Sequence, residues 1–156
     1  MRTHAADLLT AVILAVFRAN GRLLSGGDAL ARPFGLTSAR WQVLGAIALA
    51  NTALSAPQIG ATMGITRQGA QKQLHRLVAA GLIEPEANRT HKRSPRYALT
   101  PRGQALYAQV DRAQAGWANQ LAEGMAEEDL RTTERILERL AARLDGPPTA
   151  AGPSHP

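Results

Sequence analysis

The chain has 156 residues, 45% of them hydrophobic, which is enough for one domain or one compact protomer with an apolar core. Aromatics are only 4%, so that core must be built from Leu, Ala, Val and Ile. The formal net charge is +6 and there is no cysteine, which excludes a disulfide framework, a thiolate metal site and cysteine-based oxidant sensing.

The first expected helix runs from about Ala5 to Gly26, with Gly26-Gly27 breaking it. A signal peptide or membrane anchor competes with this reading. The apolar run Leu8 to Phe17 is too short to span, is bounded by Asp7 and Arg18, and has neither a basic start nor a clear cleavage site. Leu9, Val12, Ile13, Val16 and Phe17 fall at helical spacing. A buried amphipathic helix in a soluble, cytoplasmic protein with no membrane partner is therefore expected. A loop holding Pro33 then leads to Ser38, which is expected to cap a helix through Ala50.

Residues 55 to 81 read as a short helix, a turn and a second helix. Ser55 can satisfy free N–H groups of the turn that follows, and Pro57 suits a first helical turn because it needs no N–H partner there. Ile59 and Met63 lie four apart and face a core. Gly64 can take a positive φ and close the turn, and Thr66 then caps the second helix. Ala70, Leu74, Leu77 and Val78 form that helix's apolar stripe, and Gly81 ends it. The other face offers Arg67, Gln68, Gln71, Lys72 and His75. Arginine and glutamine make paired hydrogen bonds to guanine and adenine edges in the major groove, and those nearest the helix start reach bases best. Gly69 costs helix stability and would allow a partner's backbone to come close.

A hairpin follows. Leu82, Ile83 and Glu84 begin one strand, and Arg96 to Leu99 return as the other. Pro85 and Pro95 frame the tip and discourage further ladder pairing. The tip carries Arg89, Lys92 and Arg93, cations suited to phosphates and the minor groove, together with His91. Thr100 and Pro101 start a long helix to about Gly124, with Leu106, Val110, Trp117 and Leu121 on one side. A last helix, about Glu127 to Leu144, carries Leu130, Ile136, Leu137, Leu140 and Leu144, with acidic residues suited to its first turn. The tail 146–156 is rich in Pro and Gly and is expected to be disordered.

Charge agrees with this order. From Arg67 to Gly103 there are eight Lys and Arg against two acidic residues, so this window alone holds as much net charge as the whole chain. Residues 104–156 carry five against eight. Charge focused in this way points to a polyanion. A helix-turn-helix followed by a basic hairpin is the arrangement of a winged DNA-binding domain. The expected contact set is Ser55, Thr66, Arg67, Gln68, Gln71, Lys72 and His75 from the helices, and Arg89, His91, Lys92 and Arg93 from the hairpin. The alternative is a winged-helix protein-interaction module without DNA readout, which the basic hairpin argues against.

The chain resembles the MarR (multiple antibiotic resistance regulator) family of bacterial transcription factors. The likeness is carried by Arg40-Trp41-Gln42-Val43-Leu44, Gly64-Ile65-Thr66-Arg67-Gln68, Leu77 through Ile83, and Leu99-Thr100-Pro101-Arg102-Gly103, four blocks in order. It implies a mainly α (α+β) fold: a winged helix-turn-helix with a two-stranded wing over 38–100, flanked by dimerisation segments 1–37 and 101–145. Many members carry an aspartate and an arginine two apart at the wing tip. Here those positions hold His91 and Arg93.

The terminal helices hold more apolar surface than one small winged domain needs, which fits either an intramolecular core or an interface. The resemblance implies the second, a homodimer in which Leu9, Val12, Val16, Leu137 and Leu140 meet a twin subunit. It also implies a ligand-responsive repressor on a pseudo-palindromic operator, with a small aromatic or phenolic effector and no cofactor. Trp41 and Phe34 lie where an effector pocket would form. No catalytic or metal-binding pattern is found. The four histidines are scattered, and Glu127-Glu128-Asp129 is explained as a helix start.

Overall fold

A computed structural model describes residues 2–145, and the expected disordered tail 146–156 lies outside the described residues. Among the described residues six α-helices and three short strands follow one another, with one turn of 3-10 helix (Arg32–Phe34) after the first: α1 (His4–Ala31), α2 (Ser38–Ala50), β1 (Leu54–Ser55), α3 (Ala56–Met63), α4 (Arg67–Ala79), β2 (Ile83–Glu86), β3 (Arg96–Leu99), α5 (Pro101–Ala122) and α6 (Glu127–Leu144). The chain divides into two compact units, one ending at Gly116 and one beginning at Trp117.

The first unit is built around α2, α3 and α4. Leu44 and Val43 of α2, Ile59 of α3, and Ala70, Leu74 and Leu77 of α4 are completely buried, as the apolar spacing requires. Val78 and Met63 pack against this cluster, and Leu82, Ile83, Tyr97 and Val110 complete it. Each fully buried Leu or Ile stabilises the fold by roughly 1.5–3 kcal/mol, and this burial fixes the side from which α4 presents its polar face.

Four local expectations are corrected. Gly26-Gly27 does not break α1, which runs on to Ala31. Tertiary packing outweighs glycine's poor helix propensity there: a Cβ on Gly27 would sit 2.8 Å from Ser38 Oγ, so the missing side chain lets α1 lie against α2. The continued helix also changes the membrane argument. By length and composition the segment His4–Phe34 is long and apolar enough to cross a membrane. The cap of α2 is Thr37, not Ser38; Thr37 Oγ1 accepts from the Arg40 N–H, while the Ser38 N–H donates to Asp28 Oδ1 at 2.6 Å. The wing sheet has a third strand, in the order β1-β3-β2, with Leu54 opposite Tyr97 and Ser55 opposite Arg96. Finally, Pro85 lies inside β2, opposite Tyr97. Because β2 is an edge strand, a residue without an N–H can be accommodated.

The exit from the wing is tight. Thr100 Oγ1 accepts from the Gly103 N–H and donates to the Gly81 carbonyl. A Cβ on Gly103 would overlap the Leu82 carbonyl. Gly103→Ala is therefore expected to destabilise the fold by about 3 kcal/mol, the upper range for overpacking. Urea unfolding followed by circular dichroism would check this; a shift below about 0.5 kcal/mol would show that the contact relaxes freely.

In the second unit, Gly124 turns the chain with φ at +78° and α6 follows. Arg131 bonds Glu127 at 2.6 Å and Arg135 lies 3.5 Å from Glu128, exposed pairs that help order the first turns. No residue of α6 is buried. Leu130, Ile136 and Leu137 are exposed apolar side chains, and Leu140 is half-buried.

Candidate nucleic-acid interface

The α3–α4 turn depends on local chemistry. Gly64 adopts φ +63°, a conformation that costs most other residues energy. Thr66 Oγ1 then accepts the Gly69 N–H at 2.9 Å and caps α4. A Cβ on Gly69 would stand only 3.0 Å from that oxygen. The glycine thus makes room for the cap, a local reason for it beside the expected close approach of a partner's backbone. Arg67 and Gln68, in the first turn of α4, are exposed, as are Lys72 and His75 farther along.

Gln71 is half-buried and tied down. Its Nε2 lies 3.2 Å from the Tyr97 hydroxyl of β3 and 3.0 Å from His75 Nε2. This links the polar face of α4 to the wing, so helix and strand are held in one frame. Tyr97 is 5% exposed and sits in the core.

Ser55 differs from the expectation of a contact residue. It is 7% exposed, and its N–H and hydroxyl both donate to Gln58 Oε1 at 2.9 Å. It works chiefly as the reciprocal cap of α3, with only an edge open to the cleft described next.

Between the start of α4, the start of α3 and the wing lies a cleft of about 880 Å³. Arg67, His91, Lys92, Arg93 and Arg96 line it together with Ser55, Pro57, Gln58, Asn88, Thr90 and Ser94. The structure thus brings the first recognition-helix arginine and three of the four expected tip residues around one concavity. Arg89 is exposed but does not line it. Among the described residues, none of the cleft's cations is paired with a carboxylate. Cations without carboxylate partners around an open concavity suit a run of phosphates.

Arg96 and Asn88 are among the cleft residues not singled out in the sequence. Arg96, read only as a strand residue, donates from Nε to the Ala53 carbonyl at 2.8 Å, joining the wing to the segment before β1. Asn88 folds the tip. Its Oδ1 accepts the N–H groups of Thr90 and His91, and its Nδ2 donates to the Ser94 carbonyl at 2.8 Å. The signal for Asn88 was present, since Asn readily bonds backbone two or three residues on. The tip is therefore held together by the bonds of Asn88. Asn88→Ala is expected to leave global stability within about 1 kcal/mol while loosening the tip. Amide exchange at Thr90, His91 and Ser94 would rise about tenfold; unchanged protection there would show that these bonds do not hold the tip.

The two aromatic residues considered for an effector line separate cavities. Trp41 borders a space of about 300 Å³ with Gly45, Leu49, Met63, Tyr107 and Asp111. Burial, and secondarily the Asp111 charge, push the Tyr107 phenol above its ordinary pKa, so it stays a neutral donor. Among the described residues there is no cluster of three or more His, Asp or Glu able to hold a metal.

Comparison with known proteins agrees with this geometry. The sequence pattern of the MarR family matches residues 34–94. An uncharacterised protein of Mycobacterium tuberculosis is 32% identical over 139 residues, covering 89% of this chain and 96% of that one. The crystal structure of a MarR family transcription regulator aligns with TM-score 0.72 at 28% identity, covering 90% of this chain and 95% of the other. The transcriptional repressor CouR bound to a 23-mer DNA duplex aligns with TM-score 0.72 at 24% identity, over 90% of this chain and 99% of its own. CouR of Rhodococcus jostii RHA1 has also been solved with p-coumaroyl-CoA, aligning with TM-score 0.75 at 18% identity over 83% of this chain and 91% of its own.

Proposed function

Since the chain belongs to the MarR family, and is thereby a DNA-binding transcription regulator and not an enzyme, we propose that it is a ligand-responsive repressor acting as a homodimer on a pseudo-palindromic operator. The observation that carries the DNA-binding part is the cleft in which Arg67 and the wing cations Lys92, Arg93 and Arg96 converge. In this reading α4 enters the major groove. Arg67 and Gln68 read base edges, Gln71 faces the groove while braced on Tyr97, and Lys72 and His75 lie along the groove wall. Thr66 positions the helix start. The wing residues Arg89, His91, Lys92 and Arg93 hold backbone and minor groove.

Residues 1–37 and 101–145 serve dimerisation, through Leu9, Val12 and Val16 of α1 and Leu137 and Leu140 of α6. Leu9, Val12 and Leu137 are exposed in the isolated protomer. A twin subunit would cover them and would account for the apolar surface of α1 without a membrane, as befits a cytoplasmic regulator. Two copies of α4 would then address half-sites about one helical turn of DNA apart.

The effector is an aromatic molecule received beside Trp41 and Tyr107. Two observations support this. The cavity there is mostly apolar, with the neutral Tyr107 phenol and the Gln42, Asp111 and Gln114 side chains as its polar groups. CouR, of the same fold, is known with p-coumaroyl-CoA, and another protein of that fold, NadR, with 4-hydroxyphenylacetate. The test is to capture genomic DNA fragments with the purified protein and map the protected bases. An inverted repeat with half-sites one turn apart is the expected result. Uniform recovery of fragments, with no protected sequence, would favour the protein-interaction alternative.

A further inference from the structure

Gln71 is held from two sides on the polar face of α4. Its Nε2 donates to the Tyr97 hydroxyl at 3.2 Å and lies 3.0 Å from His75 Nε2. A side-chain amide nitrogen has two hydrogens to give and accepts none. Both hydrogens are therefore spent, and His75 Nε2 is the bare ring nitrogen that takes the second. Among the described residues nothing donates to Gln71 Oε1, and that oxygen is not buried. It is the one polar atom of the amide left open to a partner lying on α4.

The brace starts from a fixed point. Tyr97 is 5% exposed and stands in the middle strand of the sheet, opposite Leu54 on one side and Pro85 on the other. Its ring belongs to the core, so its hydroxyl cannot follow a movement of Gln71. A free glutamine turns its amide over and offers a donor or an acceptor as the partner requires. Gln71 is held with the acceptor outward.

Each base pair shows one exocyclic amino group and one keto oxygen in the major groove, on opposite strands. The amino group is N6 of adenine or N4 of cytosine; the keto oxygen is O4 of thymine or O6 of guanine. An acceptor with no hydrogen to give is drawn to the first and repelled by the second. The paired contact of glutamine to adenine N6 and N7 needs a donor as well, and Gln71 has already spent its donors.

We propose that Tyr97 is a positioning residue for base specificity. It holds Gln71 as an acceptor, so that one position of each half-site favours adenine or cytosine over guanine or thymine on the strand that Gln71 faces. This rests on the reading that α4 lies in the major groove.

The test is selection of duplexes from a randomised library by the full-length protein, beside Gln71→Ala, Gln71→Glu and Tyr97→Phe, each checked for folding by circular dichroism. Gln71→Ala identifies the position, as the one whose preference disappears. There the wild-type protein should favour the amino bases about tenfold in competition binding. Tyr97→Phe should bring that ratio within about twofold and leave the other positions as they are, which a merely structural role for the hydroxyl would not do. Gln71→Glu, an acceptor that cannot donate, should keep the ratio while weakening binding to every sequence. Should Tyr97→Phe fail to fold, loss of the ratio in Gln71→Glu still overturns the acceptor. The proposal is equally overturned if the keto bases are preferred, if Gln71→Ala flattens no position, or if folded Tyr97→Phe keeps the full ratio. Selection of no sequence at all by the wild-type protein would sink the groove reading and the proposal with it; a selected repeat without the amino-base position would sink the proposal alone.

Discussion

In the proposed homodimer, replacing Leu137 and Leu140 together by glutamate is expected to separate the two copies and abolish operator binding at nanomolar concentration. The two positions lie three apart on α6, a helix with an apolar stripe and no buried residue in the protomer. Leu137 is 37% exposed, with Leu130 at 42% and Ile136 at 44%. In a dimer each glutamate would be buried without a partner, which costs several kcal/mol per charge, about 3–5 kcal/mol where one member of a pair is missing. A symmetric interface meets each substitution twice, so the penalty exceeds what a typical interface can absorb. DNA binding falls with it, because the second recognition helix is lost while the α4 sequence is untouched. Analytical ultracentrifugation measures the state directly. Wild-type protein that sediments as a monomer at micromolar concentration, yet binds a palindromic site tightly, would refute the arrangement.

The next largest effect is expected at Arg67. It is exposed, stands first in α4 and also lines the wing cleft. A bidentate contact to guanine discriminates by about 1–3 kcal/mol, so Arg67→Ala should lower operator affinity by roughly tenfold to a hundredfold. Affinity for random DNA should change far less. Competition binding with operator and scrambled duplexes separates these effects, and an equal loss on both would reassign Arg67 to the phosphate backbone.

The helical frame was legible because its signals are local and repeated. Ala70, Leu74 and Leu77 recur at helical spacing, and all three are buried. The start and end of α6 could be read from its acidic first turn and its last leucine. What escaped reading depends on partners distant in sequence. β1 is two residues long and exists only through pairing with Tyr97 and Arg96. Gly26-Gly27 looked like a break because the contact with Ser38 and Trp41 that favours a glycine there is tertiary. The Gln71–Tyr97 bond joins residues 26 apart, and the Arg96–Ala53 bond joins residues 43 apart. No periodicity announces either one. At the site, residue types were enough to find the cations of α4 and of the tip, but not Arg96, nor which of them share a concavity.

In the proposed interface, duplex DNA is held through the cations gathered between α4 and the wing. Its most direct test is the affinity for a duplex measured by fluorescence anisotropy across a range of potassium chloride concentrations. Counterion release predicts that log affinity falls linearly with log salt, with a slope of about −0.9 per phosphate contacted. Lys92→Ala should make the slope shallower by roughly one contact and weaken all sequences alike. A slope near zero for the wild-type protein, or one that Lys92→Ala leaves unchanged, would contradict this account of the interface.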